Sequence, residues 1–85
     1  MSWDDVSFVM ASKNRKAILL ELESPKTPTI LAEKVQINLA HVSRALTELE
    51  KKAIVVCLTP KKRVGRIYSL TDKGKEVLEK VRNMG

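Results

Sequence analysis

Five residues spaced for one helical face, Ala40, His41, Ser43, Arg44 and Thr47, carry the side chains that nucleic-acid bases can be read with. Arginine can grip guanine through two parallel hydrogen bonds, and short hydroxyl or methyl side chains allow close approach to base edges. A second group, Lys61, Lys62, Arg63 and Arg66, has no acid anywhere between residues 54 and 70. Adjacent cations repel one another until a polyanion neutralises them, and phosphate is the natural counterion. Thr27 and Thr29 open a further segment whose first N–H groups, if helical, can hold a phosphate.

Each group also has a plainer reading. Arg44 lies one helical turn before Glu48 and can pair with it. The run Lys61 to Arg63 can be a solubilising loop, and capping alone accounts for Thr27. His41, the only histidine, is a DNA contact, a pH-responsive group or a first-turn surface residue.

Other chemistries lack their residues. No pair of groups is spaced for acid–base or nucleophilic catalysis, and no glycine-rich phosphate loop is present. One histidine and one cysteine cannot build a zinc site. Neither an enzyme nor a cofactor or metal is expected, and no small-molecule effector is evident. Cys57, the sole cysteine, excludes an internal disulfide, fits a reducing compartment and reads as a small strand hydrophobe. The start, MSWDDV, is acidic and has no apolar signal region. The longest apolar run, residues 53–58, is too short to span a bilayer. A cytoplasmic protein with no membrane partner is expected.

The elements that must hold these groups can be read from caps and periodicity. Ser2 with Asp5 three residues on makes a capping-box-like start, followed by an apolar stripe of Val6, Val9 and Met10. Ser12 can cap a second helix carrying Ile18, Leu19 and Leu22, which Ser24-Pro25 would end. Thr27 caps a short helix with Pro28 at its first position and Leu31, Ala32 and Val35 facing inward. Gln36-Ile37 is the turn. Asn38 then caps a helix running to about residue 52, with Leu39, Val42, Ala45, Leu46 and Leu49 on its apolar face. Its acids, Glu48 and Glu50, fall in the C-terminal half, so only the N-terminal half suits phosphate-rich surroundings. Two helices joined by such a turn form the unit that places its second helix in the DNA major groove.

Residues 54–58 and 66–70 read as strands, and the seven residues between them, TPKKRVG, exceed a two-residue turn and should project as a lobe. Thr71 caps a last helix with Val77, Leu78 and Val81 inward; Gly74 in its first turn is expected to cost about 1 kcal/mol against alanine. Trp3, Phe8 and Tyr68 are too scattered for a base-stacking platform and read as core or dimer contacts.

At 85 residues with 44% hydrophobic content, the chain is sized for one domain over residues 1–85 with a thin core. Its net charge of +6 favours polyanion partners. That charge is uneven: residues 1–24 carry −1, residues 25–53 carry +2, residues 54–70 carry +4 and residues 71–85 carry +1. An acidic head and a basic centre suggest one face for self-association and another for a polyanion.

The run of elements resembles the winged helix-turn-helix family, in particular small prokaryotic regulators of the MarR and ArsR kind and above all compact archaeal members. The residues that carry the likeness are Leu31-Ala32, Val42-Ser43-Arg44-Ala45-Leu46, Leu49-Glu50-Lys51-Lys52, Gly65-Arg66, Tyr68 and Leu70-Thr71-Asp72-Lys73-Gly74. The resemblance implies an α+β, mainly α fold, a winged helix-turn-helix with a three-helix core, a two-stranded hairpin wing and a C-terminal helix. It implies a double-stranded DNA-binding transcription regulator, with the helix at about 38–52 in the major groove and the wing at 59–66 on phosphates or in the minor groove. It also implies a homodimer through the N-terminal and C-terminal helices. The family usually places glycine where this chain has Gln36 and Ala53; at positive φ either residue would carry strain of about 1 kcal/mol. The metal-binding clusters of ArsR sensors have no counterpart, so metal sensing is not carried over. A winged-helix protein-interaction module and a non-specific chromatin-like or RNA binder are the alternatives, and the uncompensated wing argues against the first.

Overall fold

Side-chain caps decide where the helices begin. The computed structural model describes residues 3–84, as α1 (Trp3–Met10), α2 (Lys13–Glu21), α3 (Pro28–Val35), α4 (Leu39–Lys51), β1 (Val55–Cys57), β2 (Tyr68–Leu70) and α5 (Asp72–Met84). Ser12 Oγ accepts from the Arg15 N–H at 3.3 Å, Thr27 Oγ1 from Ile30 at 3.3 Å and Asn38 Oδ1 from Ala40 at 2.7 Å. Each satisfies a donor that a first helical turn leaves without a carbonyl partner. Thr71 Oγ1 accepts from the Gly74 N–H at 3.0 Å and donates to the Ala53 carbonyl at 2.6 Å, which pins the start of α5 to the α4–β1 corner. The cap expected at Ser2 lies outside the described residues. Asp5, read as part of that cap, is buried instead, with its carboxylate 3.3 Å from Lys73 Nζ of α5.

The core is continuous. Ile18, Leu19, Leu22, Leu31, Val42, Ala45, Leu46 and Leu49 of the α2–α4 region meet Ile54, Val55, Val77, Leu78 and Val81, with Val6 and Val9 of α1 alongside. Within α3 only Leu31 is fully buried; Ala32 and Val35 are half-buried. Tyr68 and Cys57 join the core as expected, and Phe8 packs at its margin. Trp3 does not: it is 62% exposed, with Lys80 Nζ 5.5 Å from its ring centroid. No helix among the described residues is long and apolar enough to cross a membrane.

The two strands pair antiparallel, with Val55 opposite Leu70, Val56 opposite Ser69 and Cys57 opposite Tyr68. Both are shorter than residues 54–58 and 66–70 suggested. Leu58 N–H still donates to the Ile67 carbonyl at 2.7 Å, but the Ile67 N–H turns to Thr59 Oγ1 at 3.0 Å, and the regular ladder stops there. A further rung, not foreseen, joins the sheet from the other side: Lys26 and Tyr68 exchange N–H···O bonds of 3.0 and 2.9 Å. That rung also explains why α2 ends at Glu21, ahead of Ser24-Pro25. The chain must be extended by Lys26 to reach β2.

Gln36 at φ 60° closes α3, and Ala53 at φ 58° follows α4; both are exposed and left-handed. A Cβ in that region costs about 1 kcal/mol that glycine avoids, partly offset by glycine's greater freedom when unfolded. Gln36→Gly and Ala53→Gly are each expected to raise stability by about 0.5 kcal/mol in urea unfolding. A loss of stability at either site would mean that its side chain makes compensating contacts.

Gly74 reverses the expectation drawn from helix propensity. A Cβ built there would lie 2.0 Å from the Ile54 carbonyl oxygen, so glycine is what lets α5 approach the α4–β1 corner.

Candidate nucleic-acid interface

Asn38 caps α4 two residues after the left-handed Gln36, and this short connection packs α4 against α3. Burial then sorts the helix. Val42, Ala45, Leu46 and Leu49 are inside, while Ala40, His41, Ser43, Arg44 and Thr47 are all exposed. Leu39 departs from the expected apolar face: it is 49% exposed, because the first residue of α4 projects beyond the α3 packing. Thr47 Oγ1 donates to the Ser43 carbonyl at 2.9 Å, which leaves its lone pairs and methyl group available.

The wing is braced from within. Lys62 N–H donates to the Thr59 carbonyl at 3.1 Å, and Arg66 Nε donates to the Lys62 carbonyl at 2.6 Å. Gly65 takes φ 70°, a turn conformation open to glycine. Lys61, Lys62, Arg63 and Arg66 are exposed and make no ion pair among the described residues. Their charge is therefore held out to solvent on a loop of defined shape.

Two clefts flank α4. The larger, about 540 Å³, is lined by Thr27, Pro28 and Thr29 at the start of α3, by Leu39, Ser43, Leu46 and Thr47, and by residues 63–66 of the wing with Tyr68 below. It brings together Thr27, Thr29, Ser43, Thr47, Arg63 and Arg66, three groups far apart in the chain. The smaller, about 270 Å³, is lined by Ser12, Asn14, Arg15, His41, Arg44, Ala45 and Glu48. His41 and Arg44 thus belong to the other flank of the same helix. Ala40, Lys61 and Lys62 line neither cleft.

Glu48 does not pair with Arg44. Its carboxylate meets Arg15 Nη1 of α2 at 3.1 Å, and Arg44 makes no ion pair among the described residues. The sequence reading missed Leu39, Val64, Asn14 and Arg15 as lining residues. Leu39 was hidden because its spacing matched the core positions. Val64, 86% exposed within a charge run, was visible as an apolar residue that no strand or helix pattern would bury. Asn14 and Arg15 carry no local signal, since only the packing of α2 on α4 brings them near.

Residues 3–85 match the family model described as HVO_A0261 N-terminal domain. No curated protein matches the chain. Among solved structures, the MarR family transcription regulator SP03579 superposes with a TM-score of 0.78 at 23% identity, over 95% of this chain and 56% of that one. The transcriptional repressor CouR, bound to a 23-mer DNA duplex, gives 0.75 at 25% identity, over 95% of this chain and 62% of that one. Wild-type ZitR of Lactococcus lactis in complex with DNA gives 0.73 at 26% identity, over 82% of this chain and 49% of that one. The chain therefore spans about half to three-fifths of the length of these structures. Its five helices and antiparallel strand pair form a MarR-type winged helix, and nothing in these likenesses supports the ArsR type specifically.

Proposed function

We propose that this chain, which belongs to the HVO_A0261 N-terminal domain family, is a sequence-specific double-stranded DNA-binding transcription regulator, acting through one winged-helix domain over residues 1–85. The observation that carries this reading is the cleft that gathers the α3 start, the outer face of α4 and the basic wing around one helix. Two of the neighbouring proteins, CouR and ZitR, are seen bound to DNA, which supports the reading. In it, α4 enters the major groove through Ala40, His41, Ser43, Arg44 and Thr47. Thr27 and Thr29 hold a phosphate at the α3 N-terminus. Lys61, Lys62, Arg63 and Arg66 neutralise flanking phosphates or enter the minor groove.

Arg44 is the base reader in this arrangement, being exposed, without an ion pair among the described residues and in the N-terminal half of α4. Arg44→Ala is expected to cost about 1–3 kcal/mol on the preferred site and to relax selectivity at one base pair. Affinities measured across single-base variants of that site check this, and a uniform loss on every duplex would reassign Arg44 to phosphate.

The protein acts as a homodimer through α1 and α5, which pack together and expose Trp3 and Met84. Two-fold symmetry would place half-sites about 10 bp apart or at a multiple of that spacing. In vitro selection from random duplexes at physiological salt tests both parts. Enrichment of an inverted repeat supports the dimeric regulator, and a single half-site supports a monomeric one. Duplex retention without enrichment leaves only a non-specific binder.

A further inference from the structure

Arg15 stands behind the face assigned to DNA, yet it reaches into it. Its guanidinium lies 3.9 Å from the Phe8 ring centroid, and its Nε donates to the Phe8 carbonyl at 2.9 Å. That carbonyl belongs to the last turn of α1, between Ser7 and Val9, whose carbonyls accept the Ala11 and Ser12 N–H groups. One of the two outer arms of the fork, Nη1, donates to Glu48 Oε1 at 3.1 Å. The Arg15 side chain is only 15% exposed, against 39% for Glu48. Two contacts, the ring and the carbonyl of Phe8, thus hold the planar cation before Glu48 is engaged, so less freedom is lost in making the pair.

Glu48 is placed where it would do harm if left alone. It lines the same cleft as His41 and Arg44, one helical turn after Arg44. An exposed arginine and glutamate four apart on a helix pair with each other, worth a factor of about two in this order of residues. A carboxylate in this position would also oppose an approaching phosphate.

We propose that Arg15 is a positioning residue for DNA recognition: by holding the Glu48 carboxylate from the α2 side, it keeps that group off Arg44 and leaves the Arg44 guanidinium to the DNA. The braced, partly desolvated Arg15 outcompetes the flexible, solvated Arg44 for the same oxygen. The inference rests on the DNA-binding reading above.

The test uses the full chain and a fluorescent duplex carrying the motif enriched by selection. Arg15→Met keeps an apolar side chain of similar length beside Phe8 and removes the charge; its affinity should fall about two- to threefold, the scale of an Arg44–Glu48 pair with the carboxylate left uncompensated. Glu48→Gln should bind at least as tightly as the wild type. The double variant should bind as Glu48→Gln does, because no carboxylate then remains to capture Arg44. Arg44→Ala should also cost less in the Arg15→Met background than in the wild type. Arg15→Gln, which can still donate to the Phe8 carbonyl, serves the same comparison should circular dichroism show Arg15→Met unfolded. A double variant as weak as the Arg15 variant, or an Arg15 variant that binds like the wild type, overturns the proposal while leaving the DNA-binding reading intact. A wild-type chain that binds no duplex overturns that reading, and the role of Arg15 with it.

Discussion

Changing Lys61, Lys62 and Arg63 together to alanine is expected to weaken binding to every duplex and to flatten its dependence on salt. Each neutralised phosphate adds about 0.9 to the slope of log affinity against log salt, so three lost contacts reduce it by about 2.7. Between 50 and 200 mM salt, the wild type should lose about fortyfold more affinity than the triple variant. The change should leave the fold alone, because these side chains are exposed and pair with nothing among the described residues. Arg66 is kept in this variant because its Nε bond to the Lys62 carbonyl braces the loop. Fluorescence anisotropy on two unrelated duplexes over a salt series measures both effects. An unchanged slope removes the wing from the interface.

Gly74→Ala is expected to destabilise the protein by about 3 kcal/mol, at the upper end of what overpacking costs. The added methyl would sit 2.0 Å from the Ile54 oxygen, 3.1 Å from its carbonyl carbon and 3.3 Å from Leu70 Cβ. The oxygen cannot easily move aside, since it accepts the Thr71 N–H at 3.1 Å in the turn that starts α5. For a domain of this size such a loss lowers the midpoint of thermal unfolding by about 15 °C and removes a large share of the total stability. The sign of the effect is diagnostic. An isolated helix would gain about 1 kcal/mol from alanine at the same position. A stabilised variant would therefore mean that α5 does not pack against the α4–β1 corner as described.

Gly74 also marks the boundary of what local patterns can tell. Ser12, Thr27, Asn38 and Thr71 were legible as helix starts because a cap acts within three residues along the chain. The faces of α4 and α5 were legible because burial follows the helical period. The Lys26 rung was not, because a single extended residue has no period to detect. Leu39 followed the period but not the burial, since the face of α4 begins beyond the edge of its neighbour. For the candidate site, the α4 and wing residues could be named from their types. Their division between two clefts, and the capture of Glu48 by Arg15, depend on how helices distant in sequence cross.

The Lys26–Tyr68 rung separates two parts of the hairpin that inheritance can treat differently. Below it, β2 is stitched on one side to β1 and on the other to the connector ahead of α3, so its register is settled by the body of the protein. Above it, from residue 59 to 66, the chain touches little besides itself. Loops of that kind accept substitution and length change without disturbing the elements they join. Descendants of this chain are thus free to re-tool the reach and charge of the tip while the frame that aims it stays constant.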